Sequence, residues 1–121
     1  MKFGEILKDA KVEGEKDYAL TEKHVPEIEV EKGGGARGED VVRVIVGKDV
    51  PHPNLVEHHI VWIELYGVKK DGQVINLGRA TFAPAYTSPS AEFRVPLGDF
   101  KAICALEYCN IHGVWENCME L

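Results

Sequence analysis

The sequence predicts an all-β protein: an immunoglobulin-like antiparallel β-sandwich of about seven strands with a short N-terminal helical turn. From residue 27 apolar side chains recur with a period of two, as in a strand with one buried face. Short β-branched or aromatic segments then follow one another, several separated by turn signals. At 121 residues the chain is one domain, large enough to bury a core without disulfides.

Phe3, Ile6, Leu7 and Ala10 recur at helical spacing, which predicts one short amphipathic turn or helix. The polar stretch "VEGEKDYALTEK" follows and reads as a loop, so residues 1–21 are expected to form an extension packed on the domain. In "EIEVE" (27–31) Ile28 and Val30 alternate with Glu27, Glu29 and Glu31, the pattern of a half-buried strand. "GGGARGED" (33–40) is a flexible connection into the β-branched "VVRVIV" (41–46). The remaining strand candidates are "HIVWIELYGV", "QVINLGRATF", "AEFRVPL", "KAICALEY" and "VWENCMEL". Asp71-Gly72, Ser88-Pro89 and Gly98-Asp99 mark turns between them.

A net charge of −6 without clustered Lys/Arg argues against nucleic-acid binding. No apolar run is long enough to span a bilayer, and the N-terminus has no apolar leader segment, so a cytoplasmic location is expected. Three cysteines, Cys104, Cys109 and Cys118, make a disulfide framework an unlooked-for feature of such a chain. No Cys-x-x-Cys occurs, which excludes a Cys₄ metal site; histidine must supply most ligands to any metal.

All five histidines fall at predicted strand ends or turns. His24 stands in "EKHVPEIEV", where Pro26 biases Val25 toward extended backbone and places His24 at the mouth of a strand. His52 is bracketed by prolines in "VPHPN", a rigid setting suited to a ligand and equally to a plain turn. In "EHHIVWIELY" neighbouring side chains alternate faces, so His58 and His59 cannot both reach one point from a regular strand. His59 shares parity with the apolar Val61, Ile63 and Leu65; His58 shares it with Ile60, Trp62, Glu64 and Tyr66, which favours His58 as the ligand. Cys109 and His112 lie three apart in "YCNIHGVWEN", where a turn can aim both at one metal. The same pair could be a buried cysteine beside an incidental histidine.

Four histidines and a cysteine exceed the four ligands of structural zinc and suit iron or copper. The copper alternative is a cupredoxin-like electron carrier, with His52 or His58, Cys109, His112 and an axial Met119. It leaves His24 and one further histidine unused. A Cys/His nucleophilic pair likewise has no place for His24, His52 and His58, and a binding module without chemistry needs none of the five.

"EKHVP", "GKDVPHPN", "EHHI.WIELY" and "YCNIHGVWEN", in that order, closely resemble the motifs of superoxide reductases over roughly residues 22 to 121. The likeness is to the one-iron class, the neelaredoxins, which lack the Cys₄-iron domain of desulfoferrodoxins. It implies one-electron reduction of superoxide to hydrogen peroxide without dioxygen release. It further implies one mononuclear iron, with His24, His52, His58 and His112 equatorial and Cys109 axial. Glu22 would cap the sixth position of oxidised iron, and Lys23 would lie over the open site of reduced iron. A rubredoxin-like electron donor and a homotetramer are also implied. Lys23, with Lys48 as a second candidate, would steer the anion against the −6 net charge. Trp62, Tyr66 and Trp115 are expected in the core or an interface rather than on an electron path. "FAPAYTSPSAEF" looks shorter than in the family, and "KDYALT" looks like extra length. Cys104 and Cys118 have no family role.

Overall fold

The computed structural model describes residues 1–9, 21 and 23–121. After a helical turn α1 (Phe3–Ile6) come seven strands: β1 (Glu27–Glu31), β2 (Val41–Ile45), β3 (Ile60–Lys69), β4 (Val74–Thr81), β5 (Ser90–Arg94), β6 (Phe100–Cys109) and β7 (Gly113–Glu120). They form two antiparallel sheets, ordered β1-β2-β5 and β4-β3-β6-β7. The strands lie where apolar alternation placed them, and the sandwich is the immunoglobulin-like one the sequence predicts. Among the described residues no helix is long and apolar enough to cross a membrane.

Inward positions build the core. Ile28 of β1, Val42 and Val44 of β2 and Ala91 of β5 face Ile63 and Leu65 of β3 and Ile103 and Ala105 of β6. Burying such side chains contributes about 1.5–3 kcal/mol each, the main force holding the sheets together. Helix α1 forms, yet Phe3 and Ile6 stay exposed, so its apolar spacing does not mark a buried face; Ala10 lies outside the described residues. Beyond α1, Lys8 bridges to Trp115 of β7, and its carbonyl accepts the Glu116 N–H at 2.8 Å.

Three local features depart from the sequence reading. Thr21, Lys23 and His24 are helical, because Pro26 restricts only Val25 and the Val25 N–H still reaches the Thr21 carbonyl at 2.9 Å. Strand β3 starts at Ile60, after both histidines, and an irregularity between Ile60 and Trp62 breaks its alternation. Ile60 therefore enters the core opposite Cys109 instead of sharing the outer face with Trp62.

The third departure is a disulfide between Cys104 and Cys118. The odd cysteine count argued against one, but register decides. Cys104 and Cys118 are direct cross-strand partners on the outer face of β6 and β7, with Cα atoms 4.0 Å apart. Cys109, five residues from Cys104, points inward and stays free.

Glu107 also points inward, fully buried between its register partners Ile63 and Trp115. Neither carboxyl oxygen has a hydrogen-bond partner among the described residues. Burial pushes this carboxyl up to about 9, so it is neutral at pH 7. A folded pKa above the unfolded value gives stability that is complete below about pH 4.5 and is lost as pH rises toward 9. Glu107→Gln, which cannot ionise, should gain on the parent chain by up to about 1.4 kcal/mol per pH unit between those limits. Urea unfolding at pH 5 and pH 8.5 measures this; parallel stability profiles would disprove a neutral Glu107.

Candidate metal centre

Three chain segments converge at one end of the sandwich. The first is the helical turn ending at His24, anchored where the Asn117 side chain donates to the Pro26 carbonyl at 2.9 Å. The second is the long β2–β3 connection, which carries His52 and His58. It doubles back at Gly47 (φ +74), where a Cβ would stand 2.5 Å from the His52 backbone nitrogen, so glycine is required. The third is the β6–β7 turn with Cys109 and His112.

His24, His52, His58, Cys109 and His112 each present one ligand atom, and these atoms all lie within 4.8 Å of one another. The four imidazoles form a closed cycle. Ring centroids are 4.6 Å apart for His24–His52, 4.8 Å for His52–His58, 5.1 Å for His58–His112 and 4.9 Å for His112–His24. Every neighbouring pair meets edge-on. Cys109 Sγ approaches two opposite members, 3.4 Å from His52 Nε2 and 3.7 Å from His112 Nδ1. The sulfur therefore lies between two imidazoles that face each other across the cycle.

Hydrogen bonding leaves the donor atoms with lone pairs turned inward. His52 Nδ1 lies 2.7 Å from the Pro53 carbonyl and must carry the proton there, which makes Nε2 a lone pair facing the cluster. His58 Nε2 is buried with no partner among the described residues, an orphan that a cation would satisfy. The His112 amide donates to Cys109 Sγ at 3.3 Å. Burial, followed by the neighbouring rings and Lys23, lowers His52 to about 4, with the Pro53 carbonyl opposing. Burial likewise lowers His58. Both are neutral at pH 7, the state that binds metal. Burial raises the Cys109 thiol, against the pull of the His112 and Ile111 amides; a bound cation reverses that balance and stabilises the thiolate. This donor set fits a metal ion.

The structure thus brings together the five residues chosen from the sequence. His59 is excluded, its Nδ1 held 3.1 Å from the Leu55 carbonyl. Parity pointed to the histidine that joins the cluster, although neither one lies in the strand. Lys23 is half-buried beside His24; Glu22 lies outside the described residues. Lys48 is a poor steering group, because its ammonium pairs with Glu29 Oε2 at 2.7 Å. Met119 packs against the core opposite Ile103, toward the far end of β7 from the centre. A copper site with axial Met119 is thereby ruled out.

The family model described as Desulfoferrodoxin matches residues 16–118. The chain belongs to the desulfoferrodoxin family. A superoxide reductase of Pyrococcus abyssi is 49% identical over 106 residues, covering 83% of this chain and 88% of that protein. The structure of the superoxide reductase (neelaredoxin) from Archaeoglobus fulgidus in the reduced form superposes with TM-score 0.74 at 41% identity, over 83% of this chain and 90% of that one. The superoxide reductase from Nanoarchaeum equitans gives TM-score 0.79 at 31% identity, over 96% of this chain and all of that one.

Two residues of this desulfoferrodoxin-family centre escaped the sequence reading. Trp115, expected only as core, stacks on His24 (centroids 4.9 Å apart) and donates Nε1–H to the His112 carbonyl at 3.2 Å. Asn110 joins the β6–β7 turn to the His58 segment, donating to the Glu57 carbonyl at 3.0 Å and accepting the His59 N–H at 2.9 Å. Its place between the two candidate ligands Cys109 and His112 was the available signal.

Proposed function

We propose that this chain is a superoxide reductase, adding one electron and two protons to superoxide to give hydrogen peroxide without releasing dioxygen. The observation that carries the reading is the cycle of four imidazoles with a cysteine sulfur against two opposite members. His24, His52, His58, His112 and Cys109 would hold a single iron, which would supply the one-electron ferrous–ferric couple. Five donors exceed the tetrahedral set of zinc and leave one side of the cycle for a small anion.

The residues divide the remaining work. Cys109, as a thiolate, would donate electron density to a bound iron. The imidazoles add ligands without adding negative charge, so the approaching anion is not repelled by its own site. Burial that keeps His52 and His58 neutral serves this directly. Lys23 steers superoxide and passes a proton toward it, since its positive charge already reaches the His52 and His58 rings. Glu22, its neighbour in the chain, would supply a carboxylate to a bound iron. The electron comes from outside, from a rubredoxin-like donor; one candidate metal cluster exists among the described residues. Exposed Leu55, Val56 and Ile111 flank the ligand-bearing segments and offer that donor an apolar rim. We further propose a homotetramer, supported by Trp62 and Tyr66 on the outer face of β3.

The deciding experiment is metal analysis followed by mixing the ferrous protein with superoxide. One iron per chain, peroxide formed and no dioxygen evolved are expected; dioxygen at half the superoxide consumed would mean dismutation instead. Lys23→Ala should slow the second-order reaction by about 10-fold or more and flatten its dependence on ionic strength, while Glu22→Ala should keep turnover and alter the ferric absorption spectrum. Unchanged salt slope and unchanged spectrum, respectively, would remove those two roles. Light scattering should give the mass of four chains, and a monomer mass would retire the tetramer.

A further inference from the structure

Cys104 and Cys118 take no part in the function just proposed. They lie outside the metal centre, in register across β6 and β7 and bonded to each other. Cys118 is exposed and Cys104 half-buried, both on the face opposite the buried Cys109. The 14-residue separation between them spans the β6–β7 turn, including Cys109 and His112. A bond between Cys104 and Cys118 therefore ties off the base of the hairpin that carries two of the five ligands.

We propose that Cys104 and Cys118 are a redox-reversible clamp on this hairpin, closed by hydrogen peroxide, the product of the reaction proposed above. The proposal takes its oxidant from that reading. The Cys118 thiolate, reachable from solvent, attacks one peroxide oxygen and breaks the O–O bond. Cys118 becomes a sulfenic acid, and the departing hydroxide takes up a proton to leave as water. The Cys104 thiol then attacks the sulfenic sulfur, forming the S–S bond and releasing a second water. Two thiols and one peroxide yield one disulfide and two waters. Direct cross-strand register keeps the two side chains neighbours on one face of the β6–β7 hairpin, so the second step joins adjacent groups.

The cross-link limits how far β6 and β7 can part. Cys109 and His112 then stay together even when the segments bearing His24, His52 and His58 loosen. As peroxide accumulates, the hairpin closes and the metal is held longer; a disulfide reductant reopens it.

The test starts from ferric holoprotein whose disulfide has been reduced by a phosphine that is then removed. Before reduction no cysteine should react with maleimide under native conditions; afterwards two should. Equimolar reagent peroxide should abolish both labels and lower the mass by two hydrogens. In Cys104→Ser the oxidation should stop at a sulfenic acid that dimedone traps. Iron transfer to a chelator should be about tenfold slower from the disulfide form than from the dithiol form. The Cys104→Ser/Cys118→Ser variant should release iron at the dithiol rate before and after peroxide. In a final arm, superoxide and a donor replace reagent peroxide, and catalase should prevent closure. Thiols that survive equimolar peroxide overturn the proposal and leave the reductase reading intact, as do equal iron-release rates from the two forms. Closure by reagent peroxide with none formed from superoxide locates the failure in the reductase reading and removes the clamp's oxidant.

Discussion

Asn110 is bonded to both residues that flank His58. Its side-chain nitrogen holds the Glu57 carbonyl, its side-chain oxygen holds the His59 N–H, and its backbone N–H reaches the His59 carbonyl at 3.2 Å. Three bonds fix the end of the β2–β3 connection against the β6–β7 turn, and the rest of the centre is arranged around that junction. His58, caught between the bonded residues, is turned inward. His59 is turned away toward Leu55. Ile60 then enters the core directly opposite Cys109, so the first residue of β3 also backs the residue that carries the sulfur. Without the junction, a long connection carrying two ligands would have to be ordered by the metal alone, at the entropy of every residue it fixed.

The centre also shows how an acidic chain can receive an anion. The net charge of −6 is distributed mostly over the surface, where salt screens it beyond about 8 Å. The charges close to the rings count for more. Glu29 is occupied by Lys48, and Glu107, the nearest carboxyl in sequence to Cys109, is kept neutral by burial. Close to the rings two opposite charges remain: Lys23, which lowers His58, and Glu57, which raises it.

Strands were legible because one face of each is buried and alternation survives in the sequence: Ile28/Val30, Val42/Val44 and Ile63/Leu65 all kept their parity. The five clustered residues were legible because histidines and a cysteine at strand ends lack a packing explanation. Relations that depend on register or on tertiary contact were not. The pairing of Cys104 with Cys118 follows from how β6 and β7 align, which the letters do not state. The irregularity at Ile60–Trp62 misled the parity argument, which reached His58 by a strand that had not begun. Nothing in the letters around Glu107 marks it for burial, since only the finished sandwich buries it. Trp115 looked like core, and it is; that it also packs on a ligand needed the β1 end of the other sheet to be in place.

The histidines succeed one another around the cycle in the order in which the chain lays them down: His24, His52, His58, His112. Three of the four sides of this ring are therefore spanned by polypeptide running from one imidazole to the next. The fourth, between His112 and His24, joins the late chain to the early chain and has no such thread. Trp115 supplies it, with its indole face against His24 and its N–H on the His112 carbonyl. One side chain thus completes a circuit that the backbone leaves open, and the first and last ligands are sewn together by a residue that ligates nothing.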